Sequence, residues 1–126
     1  MGTVTQLKPS EDINIDLDRL VEVYEKMGAT GNSDAVVRAV EHIEDQLVSI
    51  SRLYHAGRFR EAGVHADNLS CIAAQIGMDS LVSVATDVTV CAEASDTAGL
   101  GATVARLTRI GTQSLDAITD PPVSAG

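Results

Sequence analysis

Apolar residues recur along the chain at steps of three and four, the spacing that brings side chains to one face of a helix. Leu17, Leu20, Val21, Tyr24 and Met27 mark a short first helix, with Asp16 placed to cap its start and Gly28 to end it. Ser33 is placed to cap a second, whose seam is Val36, Val40, Ile43, Leu47, Ile50 and Tyr54, and Gly57 closes it. A third runs from about Phe59 to Ile76 with Leu69, Ile72, Ala73 and Ile76 inward and Gly77 as its stop. Asp79 would cap a fourth, carrying Leu81, Val84, Ala85, Val88 and Ala92. There Val82-Ser83-Val84 and Val88-Thr89-Val90 also alternate at period two, so a strand competes locally; the unbroken run from Asp79 to Ala94 favours the helix. A fifth begins at Asp96, turns Leu100, Val104, Leu107, Gly111, Leu115 and Ile118 inward, and stops at Pro121-Pro122.

Short connections between long helices make neighbours antiparallel. The expected fold is therefore all-α, an up-down antiparallel four-helix bundle over residues 13–119 with a short additional N-terminal helix. Residues 1–12 and 120–126 are polar or rich in Pro, Gly and Ser and are expected to be flexible tails. Composition agrees with helices: 44% of the 126 residues are apolar, yet there is no Trp, one Phe and two Tyr, so Leu, Ile, Val, Ala and Met must fill the core.

Charge narrows the function. Eighteen acidic residues against nine Lys and Arg give a net charge of −9, which repels phosphate backbones and anionic lipid, so nucleic acid is not an expected partner. The opening MGTVTQLKPSEDINI has no apolar export segment, and the longest apolar stretch, Leu81 to Ala92, is too short to span a bilayer and contains Asp87. A cytoplasmic protein without membrane attachment is expected. Cys71 and Cys91 lack the spacing of a zinc site or a disulfide framework and read as small, buried or half-buried thiols.

The stretch RFREAGVHADNLSCIAAQIGMDSL, ending at Leu81, resembles the central helical hairpin of the histidine phosphotransfer (HPt) domains of two-component phosphorelays. That family carries an aromatic residue, an A-H-x-L/I-K-G run, small residues, a turn glycine and a following Leu. Phe59, Ala66, Leu69, Gly77 and Leu81 take the aromatic, Ala, Leu, turn and final positions, and the resemblance extends over about Asp16 to Ile118. The departures fall on the reactive residues: Asp67 stands at the phosphoacceptor histidine, Ser70 at the Lys and Cys71 at the Gly. In the family an exposed imidazole takes phosphate from one receiver aspartate and passes it to another. A lone carboxylate is a poor nucleophile towards phosphate without a metal and a cationic partner.

His65 is the nearest alternative acceptor. At about 100° per residue it lies within roughly 40° of Leu69, whereas Asp67 lies roughly 160° from Leu69, so His65 begins the core stripe and Asp67 faces outward with Gly63, Ser70, Cys71 and Ala74. Small residues around a central polar one let another protein approach closely. Elsewhere, His42 beside Glu41 and Asp45 reads as part of a solvated charged face rather than a metal site, and no Glu-x-x-His motif exists. Gly99-Leu100-Gly101 lacks the third glycine and preceding strand of a dinucleotide loop. Neither metal nor cofactor is expected.

The resemblance thus implies a non-catalytic signalling module that binds a response-regulator receiver domain or a histidine kinase through Gly63, Asp67, Ser70, Cys71 and Ala74 without carrying phosphate. The alternatives are an active phosphocarrier using His65, or a helical scaffold or dimerisation domain unrelated to phosphorelays. The sequence leaves oligomeric state and the identity of the partner open.

Overall fold

A computed structural model of the chain describes residues 15–119, all of whose regular structure is helical: α1 (Leu17–Lys26), α2 (Asn32–His55), α3 (Phe59–Gln75), α4 (Asp79–Glu93) and α5 (Thr97–Thr119). The expected tails and the Pro121-Pro122 stop lie outside the described residues.

Side-chain caps mark the starts of α1 and α5. Asp16 accepts a hydrogen bond from the Arg19 amide at 3.1 Å, and Asp96 accepts one from the Gly99 amide at 2.9 Å. Ser33 is not a cap. α2 begins at Asn32 behind Gly31, and Asp34 in its first turn reaches back to the Thr30 amide at 2.8 Å while Arg38 Nε donates to the same carboxylate oxygen at 3.0 Å. Asp79 likewise falls one residue inside α4, whose cap position is Met78. Between α3 and α4 the chain turns on Gly77, whose φ of +76° lies in the left-handed region that glycine enters without a Cβ penalty.

Four helices close into a ring. α2 lies against α3 and α5, α4 against α3 and α5, and within the described residues the two diagonal pairs do not approach. α1 rests on α2 and α3, and the Asp16 amide donates to the Ile76 carbonyl at 3.2 Å, fastening its start to the α3–α4 turn. Glycines set the α2–α5 spacing: a Cβ on Gly101 would stand 2.7 Å from Tyr54 Oη, and one on Gly111 would stand 2.6 Å from a Leu47 methyl.

The core is aliphatic, with Leu20, Ile43, Ile50, Leu69, Ile76, Leu81, Leu100 and Leu107 among its largest side chains and Tyr24 its one buried aromatic. Each such side chain contributes roughly 1.5–3 kcal/mol relative to exposure. On α4, Leu81, Val84, Ala85 and Val88 are buried while Val90 is exposed. A strand would have put Val84, Val88 and Val90 on one side, so helical periodicity prevails. α2 buries a stripe rotated from the expected one, with Ala35, Ala39, Ile43 and Ile50 innermost and Val36, Val40, Leu47 and Tyr54 half-buried. Leu17 and Met27, expected inside, are exposed at the two ends of α1.

Candidate functional site

α3 and α4 pack unusually tightly at one level because α3 carries a glycine there. A Cβ on Gly63 would lie 2.6 Å from Ala92 Cβ, well under the ordinary carbon–carbon contact of about 3.5–4.0 Å. The Thr89 hydroxyl donates to the Gly63 carbonyl at 3.1 Å and shares its hydrogen with the Ala85 carbonyl at 3.3 Å, tying the two helices together. Above this close approach runs a groove of about 460 Å³ lined by Arg60, Gly63, Val64, Asp67, Thr89, Ala92 and Glu93.

Asp67 stands exposed on the wall of this groove. Of the other residues expected on its face, Cys71 and Ala74 are exposed further along α3. Gly63 and Ser70 are buried against the rest of the molecule, Ser70 at 9% exposure, and the Ser70 hydroxyl donates to the Asp67 carbonyl at 2.7 Å. The five residues therefore divide into an outward row, Asp67, Cys71 and Ala74, and an inward pair, of which Gly63 lines the groove. The reason is angular: Gly63 and Ser70 lie on the side of the helix that α4 covers. Cys71 is thus an exposed thiol, not a buried or half-buried one, while Cys91 is half-buried; both are free.

His65 points away from the groove. It is half-buried on the α2 side, where its Nδ1–H donates to Gln46 Oε1 at 3.0 Å, which leaves the lone pair on Nε2 in the neutral ring. His42 is also more than a member of a charged face. It is half-buried, with Nδ1 3.0 Å from Tyr24 Oη, so it joins α1 to α2. Burial raises the Tyr24 phenol to about 12.

Sequence reasoning missed Arg60, Val64, Thr89, Ala92 and Glu93. Arg60 and Val64 were findable, since Arg60 lies two turns before Asp67 and hence in nearly the same direction. The α4 residues needed the helix register, which nothing in the local pattern reveals. Arg60, Asp67 and Glu93 form no ion pair among the described residues, whereas the neighbouring Arg58 is held by Glu61 through both ends of its guanidinium. A carboxylate, a cation and a second carboxylate are thus free to meet groups from outside, over a floor of Gly and Ala. Among the described residues no cluster of three or more His, Cys, Asp and Glu side chains is placed to hold a metal ion, and no helix is long and apolar enough to cross a membrane. Against protein-family models, curated proteins and solved structures alike, the chain shows no match.

Proposed function

We propose that this chain is a histidine-phosphotransfer-like module, an up-down antiparallel four-helix bundle that docks receiver or histidine kinase domains in the cytoplasm without carrying phosphate. The observation that carries the reading is the position of Asp67, exposed beside a groove floored by small residues, at the place where the resemblance puts the phosphoacceptor. Supporting it, Ala66, Leu69 and Leu81 are fully buried, Phe59 packs on the core, and Gly77 makes the turn, as the resemblance requires of those positions. A bundle keeps its docking shape when it loses its nucleophile, because shape depends on the buried stripe and phosphate transfer on an outward side chain. Among the described residues Asp67 has no cation paired to it, and a lone carboxylate is a poor nucleophile towards phosphate.

Incubation with a phosphorylated receiver domain, scored separately for complex formation and label transfer, tests the reading. Complex formation without label is expected, and Ala74→Arg should abolish the complex while leaving the fold intact, since Ala74 is exposed. A second reading keeps phosphate transfer and assigns it to His65, favoured by the Gln46 hydrogen bond that leaves Nε2 as the nucleophilic nitrogen. Acid-labile, base-stable label that disappears in His65→Gln would establish that reading and overturn the first.

A further inference from the structure

The outward row of α3 is longer than the residues around Asp67. Arg60, Val64, Asp67, Cys71 and Ala74 are all exposed and succeed one another at steps of four, three, four and three. That is the spacing of a seam that packs against another helix. Val64 on α3 and Val90 on α4 are each 55% exposed, and the Gly63–Ala92 contact brings the two helices together at the level of Val64. The groove over that contact carries the exposed apolar Val64 between Arg60 and Asp67 along α3, with Glu93 lining it from α4.

From this arrangement we infer that the α3/α4 face pairs with the same face of a second copy of this chain, about a twofold axis beside Val64. The argument is charge complementarity of an isologous kind. Arg60 and Asp67 are separated by about 10 Å along α3, at 1.5 Å per residue, and share its outward side. Laying a second α3 antiparallel on the first, centred between Gly63 and Val64, sets Arg60 against Asp67 of the partner subunit and Asp67 against Arg60 of the partner subunit. The exposed Val64 side chains of the two copies then lie beside the axis. Centring the contact on Asp67 instead would oppose two carboxylates, so the charges choose the register. Neither Arg60 nor Asp67 has an ion-pair partner within the described residues, so the pairing breaks nothing to form. Two copies each carrying −9 repel at long range, which makes the dimer a weak one whose formation depends on the two cross-subunit pairs.

The inference does not rest on the phosphorelay reading, because it concerns the protein alone; where both hold, self-pairing covers Asp67 and competes with receiver docking. Sedimentation equilibrium of the purified chain from micromolar to millimolar concentration is the test. A monomer–dimer equilibrium is expected. Arg60→Glu alone and Asp67→Arg alone should each weaken it at least tenfold by placing like charges opposite one another, and the double variant, which exchanges the charges, should recover most of the loss. Far-UV circular dichroism checks that the exposed substitutions leave the helices in place. A chain that stays monomeric throughout overturns the inference and leaves the face to a different partner. A dimer whose two single variants are as weak as the double also overturns it, since the contact would then not use this register.

Discussion

Gly63→Ala sets two effects of opposite sign against each other. In an isolated helix the change is stabilising by about 0.8–1.0 kcal/mol, because glycine is the poorer helix former. Here the new methyl would stand 2.6 Å from Ala92 Cβ, so α3 and α4 must separate by roughly 1 Å to reach normal contact. Overpacking of that kind typically costs 1–3 kcal/mol, and the Thr89 bond to the Gly63 carbonyl would lengthen from 3.1 Å as the helices part. The clash should therefore win, leaving the variant less stable by about 1 kcal/mol in urea unfolding followed by circular dichroism. Adding Ala92→Gly removes the opposing methyl, and the two changes should couple favourably by roughly 0.5–3 kcal/mol. A single variant more stable than the parent, with no coupling in the double, would refute the close approach and with it the depth of the groove beside Asp67.

Other consequences are more quickly stated. Tyr24 has its phenol raised from 10.0 to about 12 by burial, so the folded state holds the proton where the unfolded chain has lost it. Stability from this group is complete below pH 10 and should fall on the order of 2–3 kcal/mol between pH 10 and pH 12; Tyr24→Phe should flatten that alkaline loss. The Thr30 amide, with Arg38 beside it, lowers the Asp34 carboxyl below 3.8, so its contribution is present above that value and lost as acid protonates it; Asp34→Ala should remove this part of the acid dependence in stability measurements. Asp67→His alone should restore little phosphate transfer, and adding Ser70→Lys and Cys71→Gly should raise it. Because Ser70 is nearly covered and Cys71 sits mid-helix, the triple variant should also melt lower, by roughly 1–3 kcal/mol in stability.

The helices were legible because each carries its own period and several carry their own signals: Asp16 and Asp96 start α1 and α5, and Gly28, Gly57 and Gly77 follow the ends of α1, α2 and α3, where the pattern puts them. Ser33 misled because a hydroxyl near a helix start is a permissive signal, and the polar contact that forms there uses Asp34 and Thr30 instead. On α2 the valines outweigh the alanines in any hydrophobicity count, yet Ala35 and Ala39 are fully buried while Val36 and Val40 are half-buried, because the direction of the neighbouring helices sets the inner stripe. The direction of Asp67 followed from angle alone. The burial of Gly63 and Ser70 did not, for it depends on where α4 crosses, and the polar partners Gln46 and Tyr24 that hold His65 and His42 come from other helices.

The order of helices around the ring bears on how the chain folds. Every neighbouring pair in it is joined by a short turn except α2 and α5, whose meeting closes the ring. Local pairings of this kind form early, and helical bundles rich in them typically fold in microseconds to milliseconds. The α2–α5 seam is the step that must wait for the widest loop to close, and it is the seam where Tyr54 and Leu47 enter spaces left by Gly101 and Gly111. Side chains there must interlock after most of the chain is already ordered, so filling either space should act chiefly on the rate of unfolding and leave the rate of folding nearly unchanged.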